Sequence, residues 1–492
     1  MDRATLAAEQ EPPAVRSERS DRAVQSDKAV QSDQAGHSDP AQRHDPDAGR
    51  ASAGHPVPLW RNFQFQTLWI GQAASSLGVS VADVAYPLAI LALTGSPARA
   101  GLFAALQTAG MLVGALPGGQ MADRYDRRAI VIVVESARAI VTGVVAVGLI
   151  LGWLSLPLLF AAAVLLGAGQ AIAGAARLPL VRSVVQPGQL ASALVQDEVR
   201  QSGAALAGPP LAGALYAIRA LSHAVPFLGA AAAFAFSMLA AIAMKVIPGG
   251  PQAAPTGTDD DAGSTPAEGQ ACTSAADEDG SPGAAGTGAK SGKGNSDMLA
   301  GVRALWNAPV LRAAMLLIMI VNTVGVGMDL VIIVLLRGQH VRPGQIGTVL
   351  AAAALGALAG APLVKPLHKI RPGVLLLAGC LLDVPILAGL ALPFGPWWVA
   401  SLLFASMLAL PALRVLVDVL IFRQTPDAQR GRVVAAVMGL IGLGAPIGLA
   451  GVGFLLQWLP AQTAVLALSA VEAVGVLYCA TKRELWRARW PQ

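Results

Sequence analysis

Twelve apolar runs of roughly 20 residues recur along this chain, each long enough to cross about 30 Å of hydrocarbon as a helix. Lipid offers the backbone no hydrogen-bond partner, so only helices and closed barrels span it. The runs are continuous rather than alternating with period two, which argues against a barrel. Composition agrees: 54% of the 492 residues are hydrophobic and 13% are charged. The expectation is an all-α integral membrane protein with twelve transmembrane helices in two six-helix halves. The spans fall near 66–93, 98–119, 129–152, 156–176, 200–218 and 225–247, then near 310–336, 345–364, 373–392, 396–421, 433–457 and 461–480.

Polar segments divide these runs. Residues 1–58 form a tail rich in Asp, Ser, Gln and Ala, with too little apolar surface to offset the entropy of ordering. The first half covers 59–248, a Gly, Ser, Asp and Pro-rich linker 249–298, the second half 299–482, and a short tail 483–492. Tail and linker hold most of the acid; outside them the chain carries 26 basic and 12 acidic side chains. The surplus gathers on alternate loops, in RYDRR, the 177–200 connection, KPLHKIR, FRQTPDAQRGR and KRELWRAR. The opposite loops hold only Arg99, Arg219, Arg337 and Arg342. Positive residues favour the cytoplasmic side, so both termini are expected there, in a multi-pass protein of the cell (plasma or inner) membrane. No basic stripe interleaved with aromatics suggests nucleic acid, and the expected surroundings are membrane lipid. Three cysteines without ligand spacing indicate neither a disulfide framework nor a metal site. No apolar segment near the N-terminus reads as a cleavable signal.

The halves echo one another. A shift of 246 positions places Leu59-Trp60 on Leu305-Trp306, Asp83 on Asp329, Pro97 on Pro343, Gly101 on Gly347, Ala105 on Ala351, and Gly110 and Gly114 on Gly356 and Gly360. Glycine and alanine matches are cheap, but an aspartate repeated inside two apolar spans is not. Common ancestry of the halves follows.

Between the second and third spans lies GGQMADRYDRR, with Gly119, Asp123-Arg124 and Arg127-Arg128 in fixed spacing. This pattern resembles the loop signature of the major facilitator superfamily. Gly119 permits close backbone approach at a turn, Asp123 suits the N-terminus of a neighbouring helix, and the arginines suit carboxylates or lipid phosphates. The resemblance implies a gating latch that breaks when the halves rock. Its second copy, Lys365 to Arg371, is degenerate, so the latch is expected to be asymmetric. In the fifth span, ALAGPPLAG places Gly208-Pro209 and Gly213 where they resemble the antiporter motif of the superfamily's exporters, a bending interface of small residues. TGSPARAGLFAALQ, the stretch RLPLVRSVVQPGQLASALVQDEVRQSG and RQTPDAQRGRVVAAVMGL resemble the branch of enterobactin-type siderophore exporters and macrolide efflux pumps. The fourth span departs from many proton-coupled relatives: its first arginine, Arg177, is expected only at the cytoplasmic end.

Ionisable groups at membrane depth are costly and are functional candidates. Asp83 and Asp329, in the first and seventh spans, suit a proton or a cationic substrate. Gln170 suits a substrate hydrogen bond or helix packing. Glu135 and Arg138, and Arg414 and Asp418, have spacings that allow ion pairs. Asp383 with Pro385 suits a bend in the ninth span, with a helix-packing role as open as a functional one, and Glu472 has no local partner. The implied function is secondary transport by alternating access, most simply proton-coupled efflux of a small amphipathic molecule such as a drug, antibiotic or siderophore. A nutrient importer of the same fold and a non-transporting membrane sensor or scaffold are the rival readings. No phosphate-binding GxxxxGK[ST], HExxH or GxSxG stretch occurs, so neither an enzyme nor a cofactor is expected.

Overall fold

The computed structural model describes residues 58–218, 223–244, 309–363, 372–414 and 427–482. The expected tails and linker, Cys272, Lys365 to Arg371 and the Asp418 end of the Arg414 pair lie outside the described residues. Within them the chain forms long helices: α1 (Phe63–Thr94), α2 (Pro97–Arg124), α3 (Arg127–Leu151), α4 (Leu156–Val184), α5 (Leu190–Ala217) and α6 (Val225–Ala243). The second half continues with α7a (Pro309–Val326) and α7b (Met328–Gly338), one span interrupted at Gly327. It ends with α8 (Pro343–Gly360), α9 (Pro372–Gly389), α10 (Pro396–Leu408), α11 (Asp427–Trp458) and α12 (Ala461–Ala480). With α7a and α7b as one span, the count is the expected twelve.

Local chemistry sets the helix ends. Asn62 accepts from the Phe65 N–H at 3.1 Å to open α1, and Asp126 accepts from the Arg128 N–H at 3.0 Å to open α3. Ser96 caps α2 with Pro97 just inside the helix, and proline likewise opens α4, α6, α8 and α10. Gly95 and Gly152 close α1 and α3 in the left-handed conformation. Nine described helices are long and apolar enough to cross a membrane; α9 and the outer part of α11 are shorter apolar pieces. The remaining one, α5, has the length, but Asp197, Glu198 and Arg200 dilute its apolar content.

The main pairings in the first half have counterparts in the second. α2 packs on α4, α1 on α5 and α6, and α3 on α4 and α6. Correspondingly α8 packs on α10, α7 on α11 and α12, and α9 on α10 and α12. The halves meet through α2 with α11 and α5 with α8, which the repeat also interchanges. The 246-residue shift is therefore a relation in space. Gly110 and Gly114 lie against Val164 and Ala168 of α4, while Gly356 and Gly360 lie against Phe404 and Leu408 of α10. On the periphery, α3, α6, α9 and α12 expose Val133, Ile140, Leu239, Leu382 and Val474, large apolar side chains that water would penalise and lipid would not.

Two expected boundaries are corrected. α2 continues to Arg124, so Gly119 and Asp123-Arg124 occupy its last turns and only Tyr125 and Asp126 make the turn. The expected 177–200 connection is mostly helix, because α4 runs to Val184 and α5 starts at Leu190. In both places a helix continues past its apolar stretch, since polar side chains are tolerated wherever they find partners or solvent.

Three hydrophobic cores organise the bundle. On the side away from the α2–α3 turn, one core includes Ile90, Phe103, Phe227 and Tyr216 of the first half together with Ile332, Leu336, Val349 and Leu456 of the second. On the turn side the described residues form two separate cores. One, with Phe65, Ile130 and Leu180, belongs wholly to the first half; the other, with Leu317, Leu376 and Val476, wholly to the second. Among the described residues, the halves are joined at one side of the bundle and parted at the other.

Candidate functional site

The parting of the cores leaves a cavity of about 690 Å³ between the halves. α1, α2, α4 and α5 line it on one side, and α7a and α11 on the other, through Asn322, Val326, Gly442 and Ala445. Its apolar wall includes Val79, Met111, Leu112 and Val326; its polar groups include Ser76, Ser80, Thr108, Gln170 and Asn322. Arg138 and Arg177 also reach it, and no described carboxylate does.

Asp83 and Asp329 stand beyond this cavity toward the joined side. Asp83 is one turn past Val79 and Ser80 on the same face of α1, and Asp329 is one turn past Val326. Both keep accessible surface although protein encloses them, and the two carboxylates lie within electrostatic reach of each other. The Gln107 amide of α2 donates to Asp83 Oδ1 at 3.1 Å. The aspartates singled out by the repeat thus converge where the halves meet, and Gln170 faces the space below them.

Two clusters in the first half hold charge at depth. Glu135 and Arg138 are an i,i+3 ion pair at 3.2 Å, both buried. Ser75 of α1 donates to the same Glu135 oxygen at 2.8 Å, and the Arg138 guanidinium lies 4.1 Å from the centre of the Phe234 ring. The second cluster was not read from the sequence. Arg200 pairs with Asp197 at 2.6 Å and donates to the Gln72 carbonyl at 2.9 Å and to Ser76 Oγ, tying α5 to α1. Its i,i+3 spacing is present in the sequence, but such residues share a face only where the chain is helical, and here a connection is expected. Arg177, expected at the cytoplasmic end of the fourth span, lies about two turns before the end of α4 and also lines the cavity.

On the joined side the interfaces are close to backbone contact. A Cβ on Gly101 of α2 would lie 2.6 Å from the Gly453 Cα of α11. A Cβ on Gly347 of α8 would strike the Pro209 carbonyl of α5, and one on Gly213 the Pro343 carbonyl. Gly208 sits equally close to Ser80 of α1. The GPPLAG stretch is therefore the seam of α5 with α1 and α8. Ser96 Oγ donates to Gln457 Oε1 at 2.6 Å across the same side.

The loop signature divides. Arg128 donates to the Ala241 and Ile242 carbonyls at 2.8 and 2.6 Å, closing the C-terminus of α6. Asp126, not Asp123, holds the N-terminus of α3. Asp123, Arg124 and Tyr125 are exposed on the parted side, and Arg127 is half-buried. The close approach expected at Gly119 occurs at Gly118, where a Cβ would lie 3.0 Å from the Ile172 Cα; nothing lies within 4 Å of Gly119. In the second half, Ser406 donates to Asp383 at 2.6 Å, a link between α9 and α10. Glu472 is buried with no hydrogen-bond partner among the described residues.

No curated protein matches the sequence. Among solved structures, a bacterial homologue of the human lysosomal transporter Spinster, inward-facing and unoccupied, aligns over 88% of this chain and 99% of its own, with 14% identity and a TM-score of 0.63. The nucleoside transporter NupG aligns over 87% and 100%, with 11% identity and a TM-score of 0.64. A transporter of the POT family bound to a thioalcohol-conjugated peptide aligns over 85% and 95%, with 12% identity and a TM-score of 0.59. Such likenesses show the fold alone. The sequence itself matches the family model of the Major Facilitator Superfamily over residues 68–409, from α1 into α10, and the chain belongs to that superfamily.

Proposed function

We propose that this chain, a multi-pass secondary transporter by its superfamily, exports small amphipathic molecules by alternating access, driven by the proton gradient. The observation that carries the reading is the convergence of Asp83 and Asp329 from the two halves at the closed end of a shared cavity. An ionised carboxylate is costly where hydration is poor, so its protonation follows the hydration of the site. Rocking of the halves changes that hydration, and Gln107 gives the unprotonated Asp83 a hydrogen bond while it lasts. With the positive loops in the cytoplasm, the parted side faces inward and the structure stands ready to load cargo from the cell. Gln170 and the serines offer hydrogen bonds to that cargo, and Val79, Met111 and Leu112 an apolar bed.

The reading of export rather than import rests on the resemblance of the GPPLAG stretch to the exporters' antiporter motif; in the fold Gly208, Pro209 and Gly213 bind α5 to both α1 and α8. Asp123 and Arg124 are exposed and Arg127 half-buried on the parted side, where the reciprocal state would bring the halves together, so the latch would act in that state.

The test is transport into inside-out vesicles over a panel of amphipathic drugs, antibiotics and siderophores, with and without an imposed pH gradient. Gradient-dependent accumulation is expected for the native protein and loss of gradient dependence for Asp83→Asn. Unchanged gradient dependence in Asp83→Asn, with loss in Asp329→Asn, moves the coupling to α7. Indifference to both substitutions removes these carboxylates from coupling.

A further inference from the structure

We propose that the cavity selects an organic anion, holding its carboxylate or phosphate against Arg177 with the apolar body along Val79, Met111 and Leu112. The inference rests on the reading of this cavity as the cargo site and names the class of cargo.

Charge accounting at the cavity wall carries it. Arg138 and Arg177 line the wall, and Arg200 and two carboxylates, Asp197 and Glu135, lie near enough to act on Arg177. Both are already engaged, Asp197 by Arg200 and Glu135 by Arg138. Arg177 makes no ion pair or hydrogen bond with any described side chain, and no described carboxylate lines the cavity it faces. A guanidinium in a half-enclosed apolar setting, with its described carboxylate neighbours already paired, is a standing demand for an anion, and its planar fork matches carboxylate and phosphate oxygens two at a time.

The helix around it leaves room for one. Gln170, Gly174 and Arg177 follow each other at four and three residues on one face of α4, and all three line the cavity. Gly174 has nothing within 4 Å of the position a Cβ would take, so the gap between the amide and the guanidinium is open. An anionic head placed there receives charge-assisted bonds from Arg177 and an amide N–H from Gln170. A cationic head would meet Arg177, whose charge no described carboxylate is left free to offset. The aspartates do not reverse this, because they stand a turn beyond the cavity, toward the joined side.

The experiment uses the full-length protein in phosphatidylcholine nanodiscs and four fluorescent probes sharing a naphthalene body: naphthoate, naphthyl phosphate, naphthol and naphthylmethylammonium. Equilibrium binding needs no gradient, so it reads the cavity separately from transport. Naphthoate and naphthyl phosphate are expected to bind roughly tenfold or more tightly than naphthol, the scale of one charge-assisted hydrogen bond, and the ammonium weakest. Arg177→Gln is expected to abolish that preference while leaving naphthol binding unchanged, and Arg177→Lys to keep most of it. Because naphthol binding persists only in a folded cavity, it also reports the integrity of each variant. Repetition in discs containing phosphatidylglycerol separates two sources of the anion: competition by that lipid points to a headgroup, indifference to a soluble solute. Four probes that bind alike, a preference for the ammonium, binding of none, or anion preference surviving Arg177→Gln would each overturn the proposal. Anion preference without gradient-driven transport would instead count against the export reading and leave this one standing.

Discussion

Glu135 and Arg138 occupy the same helix face three residues apart, and that much of their pairing was readable from spacing alone. Ser75 and Phe234, which complete their surroundings, come from α1 and α6 and have no local signature. The pair is buried, so removing one partner leaves an uncompensated charge. Glu135→Gln is expected to destabilise the first half by about 3–5 kcal/mol, seen as a lowered thermal unfolding midpoint in detergent. Asp123 provides the contrast. It is exposed and makes no hydrogen bond with a described residue, so Asp123→Asn is expected to leave the midpoint unchanged while slowing transport. A lowered midpoint for Asp123→Asn with native transport would reduce the signature to a stability element. Arg177 shows why side-chain roles escape the sequence: its value comes from two carboxylates being engaged elsewhere, which only tertiary geometry reveals.

At the scale of elements, apolar run length gave the twelve spans, and the repeat gave their pairing. Run length fails where helices outlast their apolar stretch. The last turns of α2 and the first of α5 are polar yet helical, because Arg200 and Asp197 satisfy one another inside the bundle and the end of α2 meets solvent. The shift of 246 identified Gly101 and Gly347 as equivalent, but not that they face Gly453 and Pro209, since partners across an interface leave no periodicity. A valine at either position would wedge the joined side, with an overpacking penalty of roughly 1–3 kcal/mol against the state seen here. Cysteines replacing Ser96 and Gln457 are expected to cross-link readily in the native background and markedly less with Gly347→Val. Equal cross-linking in both would mean that the α5–α8 contact does not hold the joined side together.

For the whole molecule, the distribution of cores is the mechanical argument. A single core joins the halves at one side of the membrane, and two cores keep each half whole at the other. Such a body can exchange which side is joined without unfolding either half. The segment between the halves is rich in Gly, Ser, Asp and Pro and far longer than a connection requires, so deleting 255–290 is expected to preserve insertion and transport. Loss of insertion on that deletion would show that the halves do not fold as separate units.

Reciprocal motion under the control of the paired aspartates is the central claim, and distances between spin labels test it most directly. One pair replaces Ser96 and Gln457 on the joined side; the other replaces Ser183 of α4 and Thr481 after α12 on the parted side. Between mildly alkaline and mildly acidic buffer, the account predicts two populations whose distances change in opposite senses, with the ratio frozen in the double substitution Asp83→Asn and Asp329→Asn. A single distance for each pair in every condition, or populations that respond to pH equally with and without the aspartates, would contradict it.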